Sequence, residues 1–296
     1  MHYTKCALSF NDQLALLKQR RLRIDDDERA LRWLQRVSYY RLSAYFLPFK
    51  DGENFRLGTD FNDICRSYVF DRQLRLLVFD AIERIEVAIR TSITYEISHE
   101  YGPFGYVDSA NFDRRFKSNH AGLMKKLTDE LGQSSTKNET FVNHFRKKYT
   151  AEIHLPAWMA TELLSFGTVS MLYKSLLPKI KHRIAAPYKI GDKHLASWLH
   201  SLNYVRNVCA HHKRLWNRQL AIRPLPLTRS KSANVSVPIR NERIYCIFVI
   251  LQYMLKIVSP NSCWRDRLFK LLDQYPDVLL VPMGIPIDWK SQSVWC

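Results

Sequence analysis

Apolar residues recur along most of this chain at the three-to-four residue spacing that places them on one face of a helix. The longest example runs from Phe61 to about Tyr101, where no proline or glycine interrupts the pattern. We therefore predict one long helix, or two nearly continuous helices, over this stretch. Its predicted apolar stripe consists of Leu74, Leu77, Val78, Ala81, Ile82, Ile85 and Ile89.

Capping signals and helix breakers divide the rest of the chain into shorter helices. Ser9 or Asn11 can cap a helix over 9–22, and Asp25-Asp26-Asp27-Glu28 has the form of a capping box for a second helix that ends before Pro48. Further helices are predicted from 113 to 131, from 139 to 149, from Pro156 to Gly167, from Val169 onwards, and over 193–217, 240–258 and 262–274. Loops are predicted over 132–138 and 225–238.

The fold class that follows is all-α. No alternating strand pattern extends beyond a few residues, so we predict a helical bundle. Its predicted parts are an N-terminal helical segment over 1–58, a helical domain over 59–280 with a polar insertion near 111–150, and a C-terminal tail over 281–296.

Charge narrows the choice of partners. The chain carries a net charge of +17, and such an excess is costly in self-repulsion unless a polyanion compensates it. RNA, DNA or an anionic membrane could be that partner, and nucleic acid is the partner we favour. Most of the surface lysines are expected simply to be solvated.

The cysteines and the apolar segments indicate a cytoplasmic protein. The six cysteines are scattered and form no Cys-x-x-Cys pair, so neither a zinc ribbon nor a disulfide framework is predicted. No apolar signal segment follows the N-terminus, and the most apolar stretch, from Tyr245 to Val258, is too short to span a bilayer. We expect no membrane association and no cofactor.

The segment with the clearest chemistry runs from Trp198 to Arg218. On a helical projection Asn203, Arg206, Asn207, Ala210, His211 and Arg214 gather on one face, whereas His212 falls towards the apolar side. Asn207 and His211 are neighbours one turn apart, and Arg206 lies beside them. This face is therefore predicted to offer an imidazole, an amide and a guanidinium together.

These groups suit the cleavage of RNA through its 2′-hydroxyl. His211 can transfer protons near neutral pH, Arg206 can stabilise the charge on a pentacoordinate phosphorus, and Asn207 can orient the imidazole or bind a phosphate oxygen. Arginine followed five residues later by histidine is a weak motif by itself, and Arg115 with His120 forms a second match that lacks the asparagine. We interpret that second match as accidental.

The string Arg206-Asn207-Val208-Cys209-Ala210-His211-His212 resembles the Arg-x4–6-His signature of the HEPN ribonuclease superfamily. Further segments resemble the abortive-infection family typified by AbiD and AbiF, and they follow in the expected order over roughly residues 10–260. These segments are Ser38 to Ser43, Phe70 to Arg75, Ala81 to Val87 with Arg90 and Thr91, and Pro156 to Met159 with Glu162, Ser165, Phe166 and Gly167.

The resemblance implies an antiphage defence protein in which a HEPN-type helical bundle, with additional N-terminal and inserted helices, cuts RNA without a metal. It implies that Arg206 and His211 are catalytic and that Asn207 assists them. Because such nucleases pair two motifs and this chain has one convincing copy, a homodimer is implied. Some relatives are associated with a structured small RNA, so a cognate small RNA is a second implied partner.

Other residues are candidates for supporting roles. Lys213, Arg214 and Arg218 flank the motif and could contact phosphates. Glu83, Arg84, Glu86, Arg90 and His212 could support the site, and one of the glutamates could hold Arg206, although ordinary pairing along a helix surface explains the first four equally well. Trp158 and Phe166 are predicted to lie in the core.

Competing interpretations concern both the metal and the reaction. His200, His211 and His212 could suggest a metal site, but no carboxylate lies at ligand spacing and we predict none. A non-catalytic module that holds a structured small RNA is the main alternative to a nuclease. A membrane-active toxin is disfavoured because no spanning segment is found.

Overall fold

The computed structural model of this chain describes residue 2 and residues 6–133, 139–226, 241–278 and 280–296, with the side chains of 117–119 left out. Most of the two predicted loops, at 134–138 and 227–238, therefore lies outside the described residues. The described part is helical apart from one small hairpin, so the all-α prediction is confirmed.

The helices are numbered here in chain order. They are α1 (Phe10–Gln19), α2 (Asp27–Val37), α3 (Tyr39–Ser43), α4 (Phe61–Tyr101), α5 (His120–Leu131), α6 (Thr140–Lys148), α7 (Ala157–Ala160), α8 (Phe166–Ser175), α9 (Pro178–Ala185), α10 (Asp192–Ala210), α11 (Ile244–Val258) and α12 (Trp264–Gln274). Strands β1 (Lys50–Asp51) and β2 (Asn54–Phe55) pair antiparallel, with Lys50 opposite Phe55. Short 3₁₀ turns occupy much of the remainder.

Two of the predicted start signals act as helix caps. Ser9 is the cap of α1, where its hydroxyl accepts the Asp12 N–H and the Asp12 carboxylate accepts the Ser9 N–H. Asp26 caps α2 by accepting the Arg29 N–H at 2.9 Å, so that helix begins at Asp27 without a capping box.

Helix α4 is a single helix of 41 residues, which resolves the predicted choice between one helix and two. Its predicted stripe is fully buried, with no member more than 5% exposed. The helix ends because Gly102 adopts a φ of +78°, a conformation that costs glycine little, and donates its N–H to the Ser98 carbonyl.

The contacts divide the chain into two compact units. The first comprises Met1–Arg75 and Leu268–Leu279, and the second comprises Leu76–Arg267 and Leu280–Cys296. In the first unit Asp71 is fully buried, pairs with Arg75 and accepts the Tyr45 hydroxyl at 2.5 Å. The predicted division of the chain into an N-terminal segment (1–58), a helical domain (59–280) and a C-terminal tail (281–296) stays a prediction.

The second unit contains the helices that carry the predicted site. Helix α10 packs against α8 and α9, and Gly167 in α8 allows a close approach, since a Cβ there would lie 3.2 Å from Asn203 Nδ2. The predicted insertion takes part in this packing. Glu130 of α5 accepts both the N–H and the hydroxyl of Ser165, the residue that caps α8.

Helix α11 is buried over most of its length, as a core helix should be. Within the described ranges, no helix combines the length and the apolar character needed to cross a bilayer.

Candidate active site

The predicted motif lies at the C-terminal end of α10, and this helix ends earlier than predicted. His212 adopts the left-handed conformation with a φ of 54° and donates its N–H to the Cys209 carbonyl, while Lys213 donates to the Val208 carbonyl. These two bonds form the Schellman arrangement that terminates helices. The predicted helix over 193–217 is therefore wrong beyond Ala210, and Arg214 and Arg218 are not helical.

The early end of the helix determines where the predicted catalytic groups lie. His211 is the C-terminal cap residue, and its N–H donates to the Asn207 carbonyl at 3.1 Å, so the two residues are one turn apart. The side chains of Asn207 and His211 are exposed, whereas Val208 and Cys209 on the other side are buried. His212 is exposed as well, which corrects the expectation that it faces the apolar side.

Arg206 is held against the long helix α4. Its Nε lies 3.9 Å from Glu86 Oε2, and its guanidinium carbon lies 5.6 Å from the centre of the Phe79 ring. About a third of the side chain is exposed, at 36%. The Glu86 carboxylate and the Phe79 ring both lie close to the guanidinium, the buried Nε has no hydrogen-bond partner among the described residues, and part of the side chain stays open to solvent.

Glu86 is a buried carboxylate shared by two arginines. Its Oε1 accepts a hydrogen bond from Arg90 Nη2 at 2.8 Å, and its side chain is 14% exposed. Burial raises the pKa of Glu86, the charges of Arg90 and Arg206 lower it, and Glu83 raises it further. The ionised carboxylate is therefore costly here, and the two guanidinium groups offset part of that cost.

Arg90 connects this pair to the chain segment that precedes α8. Its Nη2 donates to the Leu164 carbonyl at 3.1 Å, and its Nη1 lies 3.5 Å from the Glu162 carbonyl and 3.7 Å from the Glu162 carboxylate. The Glu162 side chain is 61% exposed, so water screens that ion pair. Arg90 thus holds Glu86 through Oε1, while Arg206 lies nearest to Oε2.

The other predicted supporting residues of α4 do not join this cluster. Arg84 points elsewhere, since it bonds Asp80 at 3.2 Å and lies 3.4 and 3.3 Å from the Ser259 and Ser262 hydroxyls. Glu83 is exposed and acts on Glu86 only through its charge. The structure therefore places Arg84 with Asp80, Ser259 and Ser262 rather than with Glu86, and its supporting role stays a prediction.

The predicted phosphate-binding residues follow the helix end in irregular backbone. Lys213 is exposed, while Arg214 and Arg218 are half-buried. The Nε of Arg218 donates to the Arg214 carbonyl, which stabilises the turn between them. All three lie within seven residues of His211 in the chain.

The second Arg-x4-His match has no such arrangement. His120 is buried, with its ring against Phe112, and Arg115 pairs with Asp113 on the surface. The side chains are engaged locally, which agrees with the interpretation that this match is accidental.

Phe79 is a residue of the site that was not predicted from the sequence. Phe79 and Glu86 are seven residues apart and so share one face of α4, which is the signal that could have assigned Phe79 to Arg206. Phe166 is buried as predicted, but Trp158 is 51% exposed, so the prediction of a core position is wrong for Trp158.

Among the residues that the structure describes, no three His, Cys, Asp or Glu side chains are grouped to hold a metal.

The fold and the site together define an all-α protein with an arginine and a histidine five residues apart at the end of a helix. The family model described as "Abi-like protein" matches residues 32–217 of the chain. The chain therefore belongs to this family of abortive-infection proteins. No curated protein and no solved structure matches it significantly.

Proposed function

We propose that the chain is a metal-independent RNA endonuclease of the HEPN type that acts in abortive infection. The observation that supports this most is the position of Arg206, which lies beside Glu86 and Phe79 of α4 and five residues before an exposed His211 at the end of α10. Family membership associates the chain with abortive-infection defence, and the chemistry is our inference from these side chains.

The proposed reaction is an internal transesterification. A base removes the proton from a ribose 2′-hydroxyl, whose oxygen attacks the adjacent phosphorus. The P–O5′ bond then breaks as an acid protonates the 5′-oxygen, which leaves a 2′,3′-cyclic phosphate and a 5′-hydroxyl. His211 can serve as base or acid, because an imidazole ring can both accept and donate a proton.

Arg206 would stabilise the negative charge that builds up on the phosphorane oxygens. Its contacts with Glu86 and Phe79 hold it in place before substrate arrives, which lowers the reorganisation needed during the reaction. Asn207, one turn from His211, would orient the imidazole or bind a phosphate oxygen.

The reaction needs both an acid and a base, and one His211 supplies one of them at a time. We propose that a second copy of the chain contributes a second His211 in a homodimer. RNA is the proposed partner as substrate, and a bound small RNA is a second proposed partner. Lys213, Arg214 and Arg218 are proposed phosphate contacts. The proposed location is the cytoplasm.

The test compares wild type with Arg206→Ala and His211→Ala on a single-stranded RNA, in buffer containing EDTA. Wild type should cut and leave cyclic phosphate ends, the same sequence with 2′-O-methyl groups should stay intact, and each variant should lose at least about 100-fold in rate. His200→Ala is the matched control, because His200 is an exposed histidine earlier on the same helix.

Full cleavage by His211→Ala or by Arg206→Ala would reject these residues as catalytic. Tight binding of RNA that wild type never cuts would instead favour the alternative of a non-catalytic RNA-binding module.

A further inference from the structure

Trp158 stands apart from the other tryptophans of the chain. Its side chain is 51% exposed, whereas Trp33 is half-buried and the remaining five are no more than 6% exposed. Those five are Trp198, Trp216, Trp264, Trp289 and Trp295. A large aromatic side chain left in solvent forgoes much of the free energy that its burial would supply, so its exposure calls for a reason.

The backbone under Trp158 is firmly held. The Ala157 N–H donates to the Pro103 carbonyl at 2.7 Å, and the buried Thr161 hydroxyl bonds the Ala157 carbonyl at 2.8 Å and the Thr94 hydroxyl at 2.6 Å. The exposure of Trp158 is therefore a property of a fixed segment rather than of a frayed end.

The same segment reaches the candidate active site. Arg90, which pairs with Glu86 and so supports Arg206, also lies within hydrogen-bonding distance of the Glu162 and Leu164 carbonyls. Glu162 is four residues after Trp158. A short series of contacts thus links the stretch directly after Trp158 to Glu86, which lies beside Arg206.

A basic stretch precedes Trp158 in the chain. Arg146, Lys147 and Lys148 form the exposed last turn of α6, and none of them has a carboxylate partner within the described residues. Lys148 lies 5.3 Å from the centre of the Tyr149 ring, which is half-exposed at 46%. Ile153 is 90% exposed, and Glu152 is the one exposed acid between this turn and Trp158.

We infer that residues 146–158 form a docking surface for the single-stranded RNA that flanks the cleavage point. A base stacks on the Trp158 indole while Arg146, Lys147 and Lys148 pair with backbone phosphates. This inference rests on the proposed function for the identity of its ligand. Alternation of free cations with exposed aromatic rings is the arrangement by which single strands are bound without regard to sequence.

An anionic membrane is the competing ligand, since exposed tryptophan and isoleucine beside basic residues can also bind lipid. RNA is favoured because α7, which carries Trp158, is only four residues long, so it offers no continuous amphipathic face to a bilayer. The contacts of Arg90 with Glu162 and Leu164 also connect the stretch directly after Trp158 to the site that would act on RNA.

The test uses the intact chain and a 2′-O-methyl oligonucleotide, which the proposed nuclease cannot cut. Stacking should quench tryptophan fluorescence on binding, and Trp158→Phe should abolish the quench while keeping most of the affinity. Trp158→Ala should bind roughly 5- to 100-fold more weakly. Trp33→Phe is the control and should keep the quench.

The phosphate contacts are tested separately. Replacing Lys147 and Lys148 together by alanine should reduce the slope of log affinity against log salt concentration by about 1.4, or about 0.7 for each contact. The matched control is the same replacement of Lys125 and Lys126, an exposed pair on α5, which should leave the slope unchanged.

The outcomes separate this inference from the proposed nuclease. An unchanged quench in Trp158→Phe, or unchanged affinity in Trp158→Ala, overturns the docking surface even if wild type cleaves RNA. Loss of binding to anionic vesicles in Trp158→Ala, with RNA binding intact, overturns it in favour of a membrane. Binding and quenching without any cleavage support the docking surface and reject the nuclease.

Discussion

At the scale of single residues, side chains of the same type and spacing on one helix have different roles. Asp80 with Arg84 and Glu86 with Arg90 are both i,i+4 pairs on α4, and both are formed. Only the second pair contacts Arg206. The i,i+4 spacing allows both pairs, but which of them contacts α10 depends on the packing of the two helices, and local spacing carries no such information.

The position of Glu86 leads to a test of its role. We expect Glu86→Gln to lower kcat for RNA by about tenfold to 100-fold, because Arg206 loses the charge that fixes it, whereas KM should change little. Rates under saturating RNA, with thermal unfolding measured in parallel, check this result.

Glu83→Gln is the matched control, since Glu83 is exposed on the same helix and is not paired with Arg206 in the structure. Equal losses in the two variants would mean that charge alone matters and that Glu86 does not position Arg206.

At the scale of helices, the long apolar stripe of α4 was predictable because periodicity continues without a breaker, and the structure buries all of it. The end of α10 was not predictable in the same way. Leu215 and Trp216 are fully buried and continue the apolar pattern past Ala210, although they lie in irregular backbone. No glycine marks the end, since His212 takes the left-handed position that glycine usually fills.

The packing of α8 on α10 can be tested at Gly167. Alanine favours a helix over glycine by about 1 kcal/mol, but its Cβ would press on the Asn203 side chain. In the otherwise wild-type chain we therefore expect Gly167→Ala to leave the free energy of unfolding nearly unchanged or to lower it. In an Asn203→Ala background the same substitution should raise the free energy of unfolding by about 0.5–1 kcal/mol. Urea denaturation of the four proteins measures this coupling.

Additive effects of the two substitutions would show that the two helices do not press on each other at Gly167. Since Asn203 lies one turn before Arg206 and Asn207, cleavage by the Gly167→Ala single variant should also fall, and cleavage by the double variant should recover.

At the scale of the whole molecule, the charge of +17 indicated a polyanionic partner, and the fold class and the family followed from pattern and motifs. The number of copies in the active assembly could not be derived, because a surface that pairs with another copy has no periodicity of its own. The chain offers one convincing Arg-x4-His motif, and this single copy is the basis of the proposed homodimer.

A shared active site makes the rate depend on association. We expect cleavage per molecule to rise with protein concentration and to reach a plateau once dimers predominate, with the midpoint at the dissociation constant found by analytical ultracentrifugation. A constant specific activity across a range in which the mass changes from monomer to dimer would exclude a site built from two copies.

The helix end at His211 has a consequence for how this motif can vary among related proteins. Upstream of Ala210 each added residue would rotate every later side chain by about 100° around the helix axis. Beyond the cap there is no such constraint, so a spacer one or two residues longer could end in a similar turn and still place its imidazole directly after the helix. An ending of this kind would let the number of residues between the arginine and the histidine change without altering the helix that carries Arg206.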